Sequence, residues 1–337
     1  MSYIPPFLDQ IALAEARILD TYGDTVSVAN KKKSLRKFGE TTQCQTASTT
    51  LMGNLAGVYN ETYVERNLIT HIASSSASDT MIVSIEGHTA GADVSVSGIT
   101  QTTGTATATT GSAHGFAVNE WVNIEGAGEA GYNGIVKVLS TPLTTTFTYT
   151  VATGTATPAT GTITTNTYNK TFVVQTKTLQ GQTKVALDTP ISRASRVYVS
   201  SQNKASNAVG DIYVAEDVTF TAGVPASAVH CMIVAGGQQS KKGATTLSSS
   251  DYWLVLDFHA HNSEKTTGRL ADVNLQIREP GGVFRTVEDL SVSAGNTVGI
   301  AFLETLIVIP NSEIRLVAQS SANGHTIGGT IQGYLAN

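Results

Sequence analysis

The sequence predicts an all-β protein, a jelly-roll-like β-sandwich with an N-terminal helical arm and a second, smaller β-sandwich inserted into it. Three observations predict it. Short runs rich in β-branched and aromatic residues recur along most of the chain, each bounded by Gly, Pro, Asn, Asp or Ser. Only one stretch has helical periodicity. A Thr- and Gly-rich segment in the middle of the chain carries its own set of strand and turn signals.

The helical stretch comes first, in "MSYIPPFLDQIALAEARILDTYG". Pro5 and Pro6 suit a helix start, Phe7, Leu8, Ile11, Ala14, Ile18 and Leu19 recur at three-to-four spacing, and Gly23 suits a stop. A single amphipathic helix must bury its stripe, so it reads as an arm that docks on the body or on a neighbouring subunit. "NKKKSLRKFGE" follows, with Lys31, Lys32, Lys33, Arg36 and Lys37 crowded together in an otherwise acidic chain. This cluster reads as a solvated linker, as a contact to an acidic partner surface, or as a nucleic-acid contact. The last lacks the aromatic interleaving such sites use. Helix and cluster together make an arm over residues 1–40.

Strand signals begin with "NETYVERNLITHIASS" and "DTMIVSIEG", where Met81, Val83 and Ile85 alternate with polar neighbours. They resume in "KTFVVQTKTLQGQTKVALDT", "SRVYVSS", "GDIYVAED", "HCMIVAGG", "DYWLVLDFHAH", "ADVNLQIRE", "ETLIVIP" and "SEIRLVAQSS". So many short strands at regular spacing indicate a sandwich of the jelly-roll type, with a barrel as the alternative, over 41–98 and 168–337. Between the halves, Thr-rich joints bracket residues 99–167, where "WVNIEG", "GIVKVLS", "TTFTYTV" and "TGTITTN" alternate as half-buried strands. Removing them joins a strand end to a strand start, the mark of a domain inserted at a loop tip.

Composition narrows the function. The charged fraction is 14%, against about 25% in an average soluble protein, so hydroxyls solvate much of the surface. That suits an extracellular β-protein or a component of an assembly. A net charge of −5 argues against a whole-chain nucleic-acid binder. Two distant cysteines, Cys44 and Cys231, provide no disulfide framework and no metal knuckle. The N-terminus has no basic leader with an apolar core, and no run approaches the roughly 20 apolar residues that span a bilayer. The chain is expected to be made in the cytoplasm and to stay soluble.

Signals for chemistry are sparse. In "LDFHAH", Asp257, His259 and His261 alternate and project from one strand face, a spacing that suits a divalent ion or an interface patch between copies. These three are weak metal candidates, and no metal or other cofactor is assigned. Arg278, Glu279 and Arg285 flank the "EPGGVF" turn and read as surface ion pairs rather than paired catalytic carboxylates. "GGQQSKKGATT" lacks P-loop spacing and reads as a surface loop with Lys241 and Lys242 in solvent. Trp121 and Trp253 lie in apolar strand patterns and read as core residues rather than sugar platforms. No catalytic residue is assigned, and the chain is not expected to be an enzyme.

Two resemblances add to this reading. "HGFAVNEWVNIEGAGEAGYNGIVKVLSTPLTTTFTYTV", followed by "TPATGT", resembles a small immunoglobulin-like β-sandwich repeat of bacteriophage virion proteins. "KKKSLRKFGETT", "NETYVERNLITHIASSSASDT", "KVALDTPISRASRVY", "LQIREPGGVFRTV", "IPNSEIRLVAQSS" and "GGTIQGYLA" resemble structural proteins of marine and cyanobacterial podoviruses. The resemblance implies a virion structural protein of the capsid cement or decoration type. It would be a homotrimer on the capsid exterior, bound to the major capsid protein and displaying the inserted module outward. The module would meet host-surface carbohydrate, with neither membrane nor nucleic acid as partner. Phe7, Leu8, Ile11, Ile18, Lys31, Lys32, Lys33, Arg36 and Lys37 are the capsid-contact candidates. A neck, tail or short-fibre component that binds host surface is the alternative.

Overall fold

In the computed structural model, the strand Lys33–Cys44 pairs antiparallel along most of its length with the last strand, His325–Ala336. The structure describes residues 33–44, 47, 49–50, 66–168, 171–200, 207–266 and 268–336. Tyr252–Asn262 and Thr297–Val308 complete a four-stranded sheet. A register shift between Val255 and Asp257 turns Tyr252–Asn262 by one residue. Trp253 and Val255 face the core before it, Phe258 and Ala260 after it. The facing sheet orders Ala244–Thr246, Glu313–Ser320, Leu270–Arg278 and Arg285–Ser293. Between the sheets Trp253, Phe258, Leu275, Leu316, Ile327 and Ile331 are buried, each worth about 1.5–3 kcal/mol of transfer free energy.

Glu313–Ser320 has a second partner on the same edge. Thr49 and Thr50 face Ala318 and Val317, while Ala244, Thr245 and Thr246 face Arg315, Ile314 and Glu313. Two pieces from distant parts of the chain thus run in one direction along one partner, as a single interrupted strand. With that strand counted once, the chain-order numbers are 1-8-3-6 in one sheet and 2-7-4-5 in the other. This is the double Greek-key order of a jelly roll.

A second sandwich sits in the interruption. Its sheets are Thr171–Thr178, Ile82–Thr89, Arg193–Val199 and, opposite, Val185–Ile191, Ile69–Ser74, Ile212–Glu216, Val229–Ile233. Ile69, Ile72, Val83, Ile85, Val197 and Ile212 fill its core. Within this inner sandwich Ile82–Thr89 and Thr171–Thr178 form an antiparallel pair with Thr89 opposite Thr171, and the chain leaves that hairpin tip to build the module.

The module is one seven-stranded antiparallel sheet. Its order is Gly134–Lys137, Trp121–Ala127, Gly161–Thr167, Val94–Thr102, Thr105–Thr110, Thr146–Thr150, Ser140–Leu143. The two end strands are consecutive in the chain, so the sheet is rolled on itself around Ile99, Val122, Ile124, Tyr132, Phe147 and Tyr149. The "EPGG" turn of the jelly roll abuts it. Gly281 has φ +72, and a Cβ there would lie 2.6 Å from the carbonyl oxygen of Ile135, so only glycine fits.

Several expectations are corrected. Residues 33–40 belong to the body, because they form a strand paired with His325–Ala336, with Leu35, Lys37 and Gly39 turned inward and Arg36 exposed. The body is two sandwiches instead of one, since strand periodicity looks the same in both. The module begins at Val94 rather than residue 99, because Val94–Thr102 pairs with Gly161–Thr167 inside it. The expected helix, with Phe7, Leu8, Ile11 and Ile18, lies outside the described residues, as do Lys31 and Lys32.

Candidate functional site

The jelly roll and the inner sandwich meet along the outer edge of Lys33–Cys44, where Glu40 N–H donates to the Lys241 carbonyl at 3.2 Å. A cleft of about 520 Å³ opens there. Its walls are Leu35, Arg36, Lys37 and Phe38 from the edge strand, Glu86, Ser195 and Arg196 from the inner sandwich, and Gln239, Ser240 and Lys242 from the returning loop. A void of about 100 Å³ adjoins it, sharing Lys37, Glu86 and Ser195 and adding His88 and Phe172.

Charge is unevenly distributed in these walls. Lys37 Nζ makes one hydrogen bond, to the Ser195 carbonyl at 3.3 Å, and Lys242 Nζ donates to the carbonyls of Ala194 and His230 at 2.7 Å each. Neither ammonium has a carboxylate in hydrogen-bond contact among the described residues. Burial pushes both lysines down from 10.5 to about 8, opposed for Lys37 by the charge of Glu86. Arg36 is exposed and has no hydrogen-bond or ion-pair partner among the described residues. Arg196 donates to Gln239 Oε1 at 2.6 Å, stands 3.8 Å from Glu86 Oε1, and lies over the Tyr198 ring. Three other buried polar atoms of the cleft and the void, Ser195 Oγ, Thr246 Oγ1 and His88 Nδ1, lack hydrogen-bond partners among the described residues. Burial, then Lys37 and Arg193, holds His88 neutral with a pKa near 3.

Behind the cleft, a buried carboxylate pins the sandwiches together, and a buried histidine lies beside Lys242. Glu313 is buried, and its Oε1 accepts from Arg193 Nε at 2.9 Å and from the Tyr168 hydroxyl at 3.0 Å. Its Oε2 accepts from both Nε and Nη2 of Arg278. One carboxylate therefore ties a strand of the inner sandwich, the exit of the module and two strands of the jelly roll. His230 is buried beside Lys242, and burial, then Lys242 and Arg193, lowers it to about 3. Its 2.9 Å contact to Glu216 Oε1 is thus a hydrogen bond from a neutral ring.

The sequence-derived candidates fall unevenly around this site. Arg36 and Lys37 line the cleft, but Lys37 is buried instead of facing a partner surface, because it shares the inward parity of Leu35. Lys242, expected in solvent, is buried as well, because its loop closes over Ala194. Asp257, His259 and His261 do project from one strand face. They split into two contacts, His259 Nε2 to Asp257 Oδ1 at 3.3 Å and His261 Nε2 to Glu40 Oε2 at 3.6 Å. The rings lie over Gly299 and Gly328, where a Cβ would come within 2.1 Å. Among the described residues no three metal-ligating side chains stand together. Trp253 is fully buried, Trp121 half-buried.

The module's recognisable residues are turned inward. His114 Nδ1 accepts from Phe116 N–H at 2.9 Å and its Nε2 lies 3.3 Å from the carbonyls of Leu143 and Thr146. Asn133 bonds both N–H and carbonyl of Ala127, and the Tyr132 hydroxyl donates to the Ala156 carbonyl at 2.9 Å. Sequence reasoning missed Glu86, Ser195, Gln239 and Ser240. Of the cleft's residues Arg36 and Lys37 were signalled by their basic cluster, and Lys242 was read only as a solvent loop lysine.

No family model matches the chain, and no curated protein matches it. Among solved structures, the infectious bursal disease virus Gx strain structure shares 12% identity over 94% of this chain and 76% of that one, with a TM-score of 0.18. The VP2 subviral particle of infectious bursal disease virus shares 11% over 99% and 78%, with a TM-score of 0.16. Likenesses this remote carry no argument about fold or function.

Proposed function

We propose that the chain is a structural protein of a virion, of the bacteriophage capsid cement or decoration type, and not an enzyme. The observation that carries the reading is the architecture itself. An eight-stranded jelly roll is an architecture used by viral capsid domains, though fold alone is only an analogy for function. Here it carries a rolled β-module on the tip of the hairpin Ile82–Thr89 and Thr171–Thr178. A hairpin tip is where an added domain least disturbs its host. The resemblance of the module and body to phage virion proteins supports the same reading.

In this reading the body binds the major capsid protein on the capsid exterior as a homotrimer, and the module points away. Several weak contacts per trimer then act at high effective concentration, which resists opening of the lattice. A neck, tail or short-fibre component that binds host-surface carbohydrate is the second reading, favoured by the polar cleft between the sandwiches. Quantifying the chain against the major capsid protein in purified particles separates them. A ratio near one supports the lattice role, and about a dozen copies or fewer removes it. Capsid binding is tested with residues 1–32 deleted, since a cut at residue 40 would strip a paired strand from the jelly roll.

A further inference from the structure

We propose that the cleft between the jelly roll and the inner sandwich is a binding site for an acidic saccharide, a hexuronate-type sugar ring. The inference does not rest on the virion reading. It starts from four polar groups more than nine-tenths buried in the cleft and its adjoining void. Lys37 has a single long hydrogen bond, and Ser195 Oγ, Thr246 Oγ1 and His88 Nδ1 have none among the described residues. Buried polar atoms without partners are costly and uncommon, and four around one opening point to a ligand that completes them. Glu313 stands nearby with two arginines and a tyrosine on its two oxygens, so the fold satisfies buried charge where no ligand enters.

The wall chemistry selects the ligand. Arg36 presents a guanidinium with no partner among the described residues, and Lys37 an ammonium, at the same edge strand. They leave the strand on opposite sides, and each offers a charge-assisted hydrogen bond to a carboxylate that enters the cleft. Glu86 stands in the same wall, and its charge disfavours a doubly charged phosphate. Gln239 has its amide N–H groups, Ser195 and Ser240 their hydroxyls, and Glu86 its carboxylate oxygens to exchange hydrogen bonds with ring hydroxyls. A simple acid would leave these groups unmatched. The cleft, about 520 Å³, lies within the range of small-molecule sites.

The test is titration of the full chain with glucuronate, glucose, glutarate and glucose 6-phosphate, followed by calorimetry or ligand-observed NMR. Glucuronate is expected to bind, with glucose and glutarate each weaker by about tenfold or more. Arg36→Ala is expected to weaken glucuronate by a similar factor at unchanged melting temperature, and Lys37→Met to abolish binding in a protein that still folds. No glucuronate binding overturns the proposal. So does glutarate or glucose 6-phosphate binding as tightly as glucuronate, or glucuronate binding that survives both substitutions.

Discussion

The module and the inter-sandwich cleft are both made of strands and loops, yet they use their polar side chains differently. In the module His114, Asn133 and Tyr132 are spent on backbone groups of the module itself around an apolar and aromatic core, and the unpartnered Thr165 Oγ1 and Asn166 Oδ1 sit on one strand with no cleft beside them among those described. In the cleft Lys37, Ser195 and His88 are buried with donors or acceptors left over. The contrast teaches that the residues easiest to recognise in this sequence hold a turn together. Those placed to meet a ligand are scattered and carry no motif.

The largest expected effects test whether the regions are energetically separate. Glu313→Ala leaves Arg193 buried without its carboxylate and is expected to cost about 3–5 kcal/mol, loosening the two sandwiches together. Phe147→Ala empties the module's core at a similar cost of about 3–5 kcal/mol. Its damage should stay in the module. Trp253 reports on the jelly roll and Trp121 on the module, so fluorescence unfolding in Trp121→Phe and Trp253→Phe backgrounds distinguishes them. If Phe147→Ala shifts the Trp253 transition as much as Glu313→Ala does, the separation fails.

Acid should attack the inner sandwich and its junction before the module. His88 and His230 have folded pKa values near 3, against an ordinary value of 6.5. Below about pH 6.5 the unfolded chain takes up protons that these buried rings refuse, so stability falls as pH drops from there toward 3. At pH 5 the loss is about 2 kcal/mol per histidine. Equal urea midpoints at pH 7 and pH 5 would contradict this.

Lys37→Met sharpens the comparison by a gain. The lysine's pKa is lowered to about 8, so its buried charge penalises the fold at neutral pH, and the penalty is relieved as pH rises from about 8 toward 10.5. Replacing it should stabilise the protein by about 1–3 kcal/mol at pH 7 and flatten part of that alkaline rise. A destabilised variant would mean that the lysine holds the junction. Arg36→Ala, at an exposed side chain without described partners, should change the urea midpoint by less than the equivalent of about 0.5 kcal/mol.

Much of the β architecture was legible because side chains on a strand alternate locally, and alternation needs no knowledge of what pairs with what. "DYWLVLDFHAH" announces a strand, places Trp253 in the core and sets Asp257, His259 and His261 on one face. The Thr-rich joints announced an insertion. From the sequence alone follow the fold class, the module's existence and the scarcity of motif-borne chemistry. Only the tertiary structure decided how the parts nest. Thr49–Thr50 and Ala244–Thr246 are too short to show a period, and they become one strand only beside Glu313–Ser320. The cleft has the same origin. It joins Arg36 and Lys37 to Glu86, Ser195 and Gln239 across distant stretches of chain, and its unsatisfied atoms exist only once packing has excluded water from them.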